Sequence, residues 1–141
     1  MRIVNRKARY LYEISDRLEA GLVLTGMEVK AIKANRLKLD DAFIKNINGE
    51  LWLINAHIPP YQFADSRHYD PNRSRKLLLH RQEILSLQKK IEGKNLTLVP
   101  LSCYNKGQKI KLEVGIGRGK KQWEKREQIK KRDLEREMGM F

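Results

Sequence analysis

Glycines beside lysines, three histidines and one cysteine are the residues of this chain whose types could carry chemistry. Each set fails on spacing. In VGIGRGKK, a phosphate loop of the Walker kind would need Ser or Thr after Gly119-Lys120 and a glycine five positions before Gly119, where Lys121 and Val114 stand. A dinucleotide fingerprint would need a glycine where Lys120 stands. The glycines read instead as a flexible exit from a last strand into a basic tail. His57, His68, His80 and Cys103 match no zinc spacing, and no two of them fall at i, i+4 on a helix. Cys103, in an apolar strand with no base near it in sequence, reads as a small core residue. His80, next to Leu77-Leu78-Leu79, reads as a helix surface or packing residue. No Ser/His/Asp or paired-carboxylate set can be assembled, so the expectation is a protein that is not an enzyme and has no metal and no cofactor.

What remains is charge. The 141 residues carry 30 Lys and Arg against 17 Asp and Glu, a net +13. That excess is the footprint of a polyanion binder. It is spread over NRKARY, which sets Arg6, Lys7 and Arg9 beside Tyr10, over DPNRSRKLLLHR, and over KIKLEV. An anionic membrane attracts such charge too, but no apolar run approaches the roughly 18–20 residues of a spanning helix, and the basic segments lack an apolar face. Nucleic acid is the better partner. MRIVNRKARY has no apolar stretch of the kind a secretory signal needs, and one cysteine closes no intrachain disulfide, so a cytoplasmic monomer is expected.

The elements that must carry these charges are mostly strands. YLYEISDRLEAGLVL reads as two short strands around a bend at Glu19-Ala20-Gly21. TGMEVKAIKAN opens with the capping box Thr25-x-x-Glu28 and predicts a short helix from about Thr25 to Ala34. As the capping residue Glu28 already has a structural role. Asn48-Gly49 between alternating segments predicts a hairpin. HIPPYQFADSRHYDPNRSR, with Pro59, Pro60 and Pro71, reads as a long mobile loop. RKLLLHRQEILSLQKKIEGKN puts Leu77, Ile84, Leu87 and Ile91 on one stripe and predicts a longer helix stopped by Gly93. LTLVPLSCY and QKIKLEVGIG read as strands around Asn105-Lys106-Gly107, the second with an apolar inner face and a basic outer one. The sum is a mainly β, OB-like antiparallel barrel of about six strands with two or three short helices, over residues 1–117.

Residues 118–141 form the tail, GRGKKQWEKREQIKKRDLEREMGMF without its first glycine. They hold nine Lys or Arg and five Asp or Glu, a net +4. Trp123, Ile129 and Leu134 make no continuous stripe, so the segment is expected to be disordered when free and to become helical in an RNA groove. There Trp123 can stack on a base.

Taken together, NRKARY, EAGLVLTGMEVKAIKAN, the Asn-Gly hairpin with HIPPY, DPNRSRKLLLHRQEI, LTLVPLSCY and GRGKKQWEKR resemble, in order and spacing and over nearly the whole chain, the SmpB family, the tmRNA-binding proteins of bacterial ribosome rescue. The resemblance implies an OB-type barrel that binds the tRNA-like domain of tmRNA and delivers it to stalled ribosomes. It implies RNA contacts at Asn5, Lys7, Arg9, Glu28 and Lys111, continuing through Arg118, Lys120 and Lys121. It further implies that Trp123, Glu124, Lys125, Arg126, Lys130 and Lys131 meet the small subunit, where the tail senses the decoding site and the empty mRNA channel. The family's frequent Asp-Lys-Arg is Glu124-Lys125-Arg126 here. An initiation-factor-like or ribosome-associated OB protein binding rRNA directly is the alternative.

Overall fold

A computed structural model describes residues 1–61, 67–120 and 126. In chain order its elements are β1 (Arg2–Val4), α1 (Arg6–Leu11), β2 (Tyr12–Leu22), α2 (Gly26–Lys33), β3 (Phe43–Ile47), β4 (Glu50–Ile54), β5 (Arg75–Leu78), α3 (Arg81–Ile91), β6 (Thr97–Lys106) and β7 (Lys109–Gly119). All ladders are antiparallel, and the strands lie in the order β1-β6-β7-β2-β5-β4-β3.

Among the described residues the strands number seven, not about six: Arg2–Val4, which pairs with Ser102–Tyr104 at the edge of β6, and Arg75–Leu78 are strands the sequence did not announce, while two expected strands merge into one. No ladder among the described residues joins β3 back to β1, so the sheet is open in its pairing, although β3 touches β6. The expected pair of strands from Tyr10 to Leu24 is one strand, β2, whose irregularity lies between Ile14 and Asp16 and not at Glu19-Ala20-Gly21.

Alternation decides which side chains meet inside. Ala20 of β2, Leu51 and Leu53 of β4, Leu77 of β5, Cys103 of β6, and Ile110, Leu112, Val114 and Ile116 of β7 form the core, closed by Ala31 and Ile32 of α2 and Leu87 of α3. Cys103 is buried there as expected, and burial pushes its thiol up to about 12, which keeps it an inert thiol.

Both local signals for the first hairpin and for α2 hold. Asn48 and Gly49 adopt φ of 54° and 83° between β3 and β4, the positive pair that a tight two-residue turn requires. Thr25 and Glu28 close the capping box of α2 in both directions. The long helix does not hold over its full length. Arg75–Leu78 is strand β5, and helix α3 starts only at Arg81, with His80 as its N-cap residue. Leu77 belongs to the core from a strand, while Ile84, Leu87 and Ile91 form the helical stripe. Gly93, at φ 69°, follows the helix end as predicted.

The glycines before the tail also differ from the sequence reading. Gly115 and Gly117 lie inside β7, which runs on to Gly119. A Cβ on Gly117 would stand 2.6 Å from the Glu13 carbonyl oxygen, and one on Gly115 would stand 2.8 Å from Leu101 Cδ1. They are close-approach glycines that let Ile14 and Leu101 pack over the outer face of the sheet, where Ala8 of α1, Val99 and Leu101 form a second small cluster.

Candidate nucleic-acid interface

Helix α1 is seated on that second cluster, and the manner of its seating arranges the basic residues. Asn5, just before it, is a buried anchor at 5 % exposure: its backbone N–H donates to Leu101 O at 2.8 Å and its Nδ2 donates to Pro100 O at 2.8 Å. Its Oδ1 is buried with no hydrogen-bond partner among the described residues. Arg6, Lys7 and Arg9 are exposed around the helix, and Lys7 lies 3.5 Å from the Asp41 carboxylate. The end of β7 is tied back to the same helix. Lys120 donates from its backbone N–H to Leu11 O at 2.8 Å and from Nζ to Arg9 O at 2.6 Å, while Arg118 pairs with Glu13. A cation on the last carbonyls of α1 opposes the negative helix end. The structure thus brings Lys7, Arg9, Arg118 and Lys120 to one end of the sheet. Lys121, Trp123, Glu124, Lys125, Lys130 and Lys131 lie outside the described residues, as does nearly all of the tail's expected helix; Arg126 is described and exposed.

Lys111 stands on the outer face of β7, in register between Gly21 of β2 and Tyr104 of β6. This face is not uniformly basic. Glu113 faces Glu19 in the ladder, and cations gather around both: Arg2 at 3.8 Å and Arg17 at 3.4 Å from Glu113, Lys106 at 3.4 Å from Glu19. Tyr104 donates its hydroxyl to Glu19 and carries the Arg2 guanidinium 4.6 Å from its ring centre. Burial and the Glu19 carboxylate push the Tyr104 hydroxyl up to about 12, and that hydroxyl's hydrogen bond in turn lowers Glu19. Lys111 has no carboxylate within ion-pair distance among the described residues, so its ammonium is available to a phosphate.

Glu28 closes the capping box the sequence suggested and makes further bonds it did not. Its side chain has no exposed surface. Oε1 accepts from the Thr25 backbone N–H at 2.9 Å and from Arg73, and Oε2 accepts from Arg75 Nε and Nη2 at 2.9 and 2.6 Å and from Arg73 Nε at 3.1 Å, with the Tyr69 hydroxyl oxygen 3.2 Å away. Arg75, itself fully buried, also donates to Ala56 O at 2.6 Å and Pro71 O at 3.0 Å. Burial alone would raise the carboxyl, but Arg73, the Thr25 N–H and Arg75 outweigh it and hold Glu28 down at about 2. All its acceptor positions are engaged from within, so Glu28 ties α2 to the segment ending in β5 and leaves nothing to offer a ligand. The same node corrects the reading of residues 57–75 as a mobile loop: Ile58 is buried, Tyr69 donates to Ile58 O at 2.7 Å, and His57 bonds Asn72 at 2.9 Å. Residues 62–66 lie outside the described part of it.

Sequence reasoning gave none of Arg2, Glu19, Tyr69, Arg73, Arg75 or Tyr104 a part in the site. Local signals do not reach them, because each has a charged or aromatic partner at least 41 residues away.

An antiparallel sheet with a basic end and an ion-paired outer face, built on a chain of strong net positive charge, defines a small RNA-binding protein. The family model described as SmpB protein matches residues 2–140. The chain is 47 % identical over 133 residues to the SsrA-binding protein of Oleidesulfovibrio alaskensis, covering 94 % of this chain and 86 % of the relative. It is 51 % identical to that of Gloeothece citriformis, covering 95 % and 87 %. A solved structure described as "tmRNA-SmpB: a journey to the center of the bacterial ribosome" superposes with a TM-score of 0.70 at 43 % identity, over 86 % of this chain and 85 % of that one. The chain belongs to the SmpB family.

Proposed function

We propose that this protein binds tmRNA through the tRNA-like domain and delivers it to stalled ribosomes in trans-translation. The observation that carries the reading is the likeness to the tmRNA–SmpB structure, at 43 % identity over most of both chains. In this reading the open pairing curls into an OB-like barrel. Lys7, Arg9, Lys111, Arg118, Lys120 and Lys121 contact phosphates. Asn5 and Glu28 serve from beneath, Asn5 by seating α1 and Glu28 by holding Arg73 and the 57–75 segment. The tail, through Trp123, Glu124, Lys125, Arg126, Lys130 and Lys131, senses the decoding site and the empty mRNA channel. The protein acts as a cytoplasmic monomer and catalyses no step itself. No helix among the described residues is long and apolar enough to cross a membrane.

Pull-down of the intact chain followed by RNA sequencing tests the assignment. tmRNA should be enriched far above bulk tRNA. Recovery of rRNA alone would favour the direct rRNA binder. If about four phosphates are neutralised, log K for tmRNA should fall by roughly 3 per tenfold rise in salt, and Lys111→Ala should reduce that slope by about one.

A further inference from the structure

The sheet has another outer face, built from β3, β4 and β5, which the basic end and the Lys111 face leave unused. Register puts Phe43 opposite Ile54, Lys45 opposite Trp52, Ile47 opposite Glu50, and Trp52 opposite Lys76. Next to them Gly21 faces Leu78, and the Val23 N–H donates to Lys76 O at 3.0 Å. The alternate residues Ile44, Leu51, Leu53 and Leu77 go to the core, so this set points outward. Phe43 is 43 % exposed, Ile47 41 %, Val23 44 % and Leu78 52 %. No helix among the described residues shields them: α2 and α3 give their buried residues to the inner core and α1 gives Ala8 to the cluster over β6.

Trp52 is half-buried at the centre of this face, between two lysines, and no cation lies over its ring among the described residues. Beyond Lys76 the face opens into a cleft of about 320 Å³, lined among others by Gly49, Leu78 and Arg81. Glu50 lies 3.6 Å from Lys76 on this face. An aromatic ring with ammonium groups to either side matches the repeat of a single strand of nucleic acid, base stacked and phosphates flanking. The core of a protein–protein interface, by contrast, is depleted of lysine.

We propose that the β3–β4–β5 face is a second RNA-binding surface, which stacks unpaired bases on Trp52 and Phe43 and holds their phosphates with Lys45, Lys76 and Arg81. It differs in place and in chemistry from the basic end of the sheet: it takes exposed bases, largely independent of sequence.

The test uses the full chain with Trp123→Phe, so that Trp52 is the remaining indole, titrated with a single-stranded oligoriboadenylate of about 10 nucleotides. Trp52 fluorescence should quench saturably. Trp52→Leu should weaken binding of a labelled oligonucleotide about tenfold, with Trp52→Phe retaining most of it. Lys45→Ala with Lys76→Ala should lower the salt slope by about one to two units. Gel shift with the tRNA-like domain should be unchanged in all of these variants, which also reads the function proposed above separately: intact quenching without tmRNA binding would sink that function and leave this surface standing. Thermal melts identify any variant that unfolds, in which case the Trp52→Phe and lysine variants decide. Unquenched Trp52, or equal oligonucleotide binding by folded Trp52→Leu, overturns the proposal. Lost peptide tagging in Trp52→Leu with Trp123 intact, when Trp52 itself is not quenched by the oligonucleotide, overturns it too, by making the face a protein contact.

Discussion

Glu28 connects the most interactions of any side chain among the described residues, and its consequences are those of a buried charge. Glu28→Gln leaves the fully buried Arg75 guanidinium without its anion, a loss of about 3–5 kcal/mol that urea denaturation should register. Acid should do the same more gradually. The folded carboxyl sits at about 2 against 4.5 for the free group, so the stabilisation is fully present above about pH 4.5 and drains away as pH falls toward 2. Its size is on the order of 3 kcal/mol. In Glu28→Gln that stretch of the stability–pH curve should flatten; a curve as steep as the parent's would show that other carboxylates govern acid unfolding. Half of this residue was legible in the sequence. Thr25-x-x-Glu28 announces the capping box because a cap is local, whereas Arg73 and Arg75 lie 45 and 47 positions away and only the fold brings them in.

Strands and helices were legible to different depths. The Asn48-Gly49 hairpin and α2 carry their instructions in a few adjacent residues. β5 does not: Leu77 falls seven residues before Ile84, so an inward strand residue mimics a further turn of α3. β7 misled in another way, since glycines suggest a hinge until the neighbouring strand is known. The distinction between a packed glycine and a free one is measurable. Gly117→Ala drives a methyl into the Glu13 carbonyl and Ile14 and should cost about 2–3 kcal/mol, while Gly119→Ala, with nothing within 4 Å, should stay within about 0.5 kcal/mol. Equal melting temperatures for the two would mean that β2 and β7 are looser than their register implies.

At the scale of the molecule, the described packing runs on past residue 117 as far as Lys120, which is bonded to both Arg9 and Leu11. Ending the chain at Lys120 should therefore leave the melting temperature within a degree or two, since none of the described packing is removed, and tmRNA affinity close to the parent's. Peptide tagging on ribosomes holding a message without a stop codon should fail. Truncated protein that tags normally would reduce the tail to a solubilising appendage. The sequence conveyed this division through composition alone; the partners across the sheet it could not convey, because Tyr12 meets Gly119 and Arg2 meets Tyr104. That pairing carries a consequence for how the chain is made. β2 is complete when residue 22 has been synthesised, yet one of its two neighbours, β7, is the last strand of all. Loop closure over about a hundred residues must precede the central ladder, which places folding with the slow, non-local β topologies of milliseconds to seconds. The sheet therefore cannot close before β7 has been made, and a nascent copy interrupted anywhere before it exposes an unpaired β2 edge and an open core to whatever degrades or aggregates unfinished proteins.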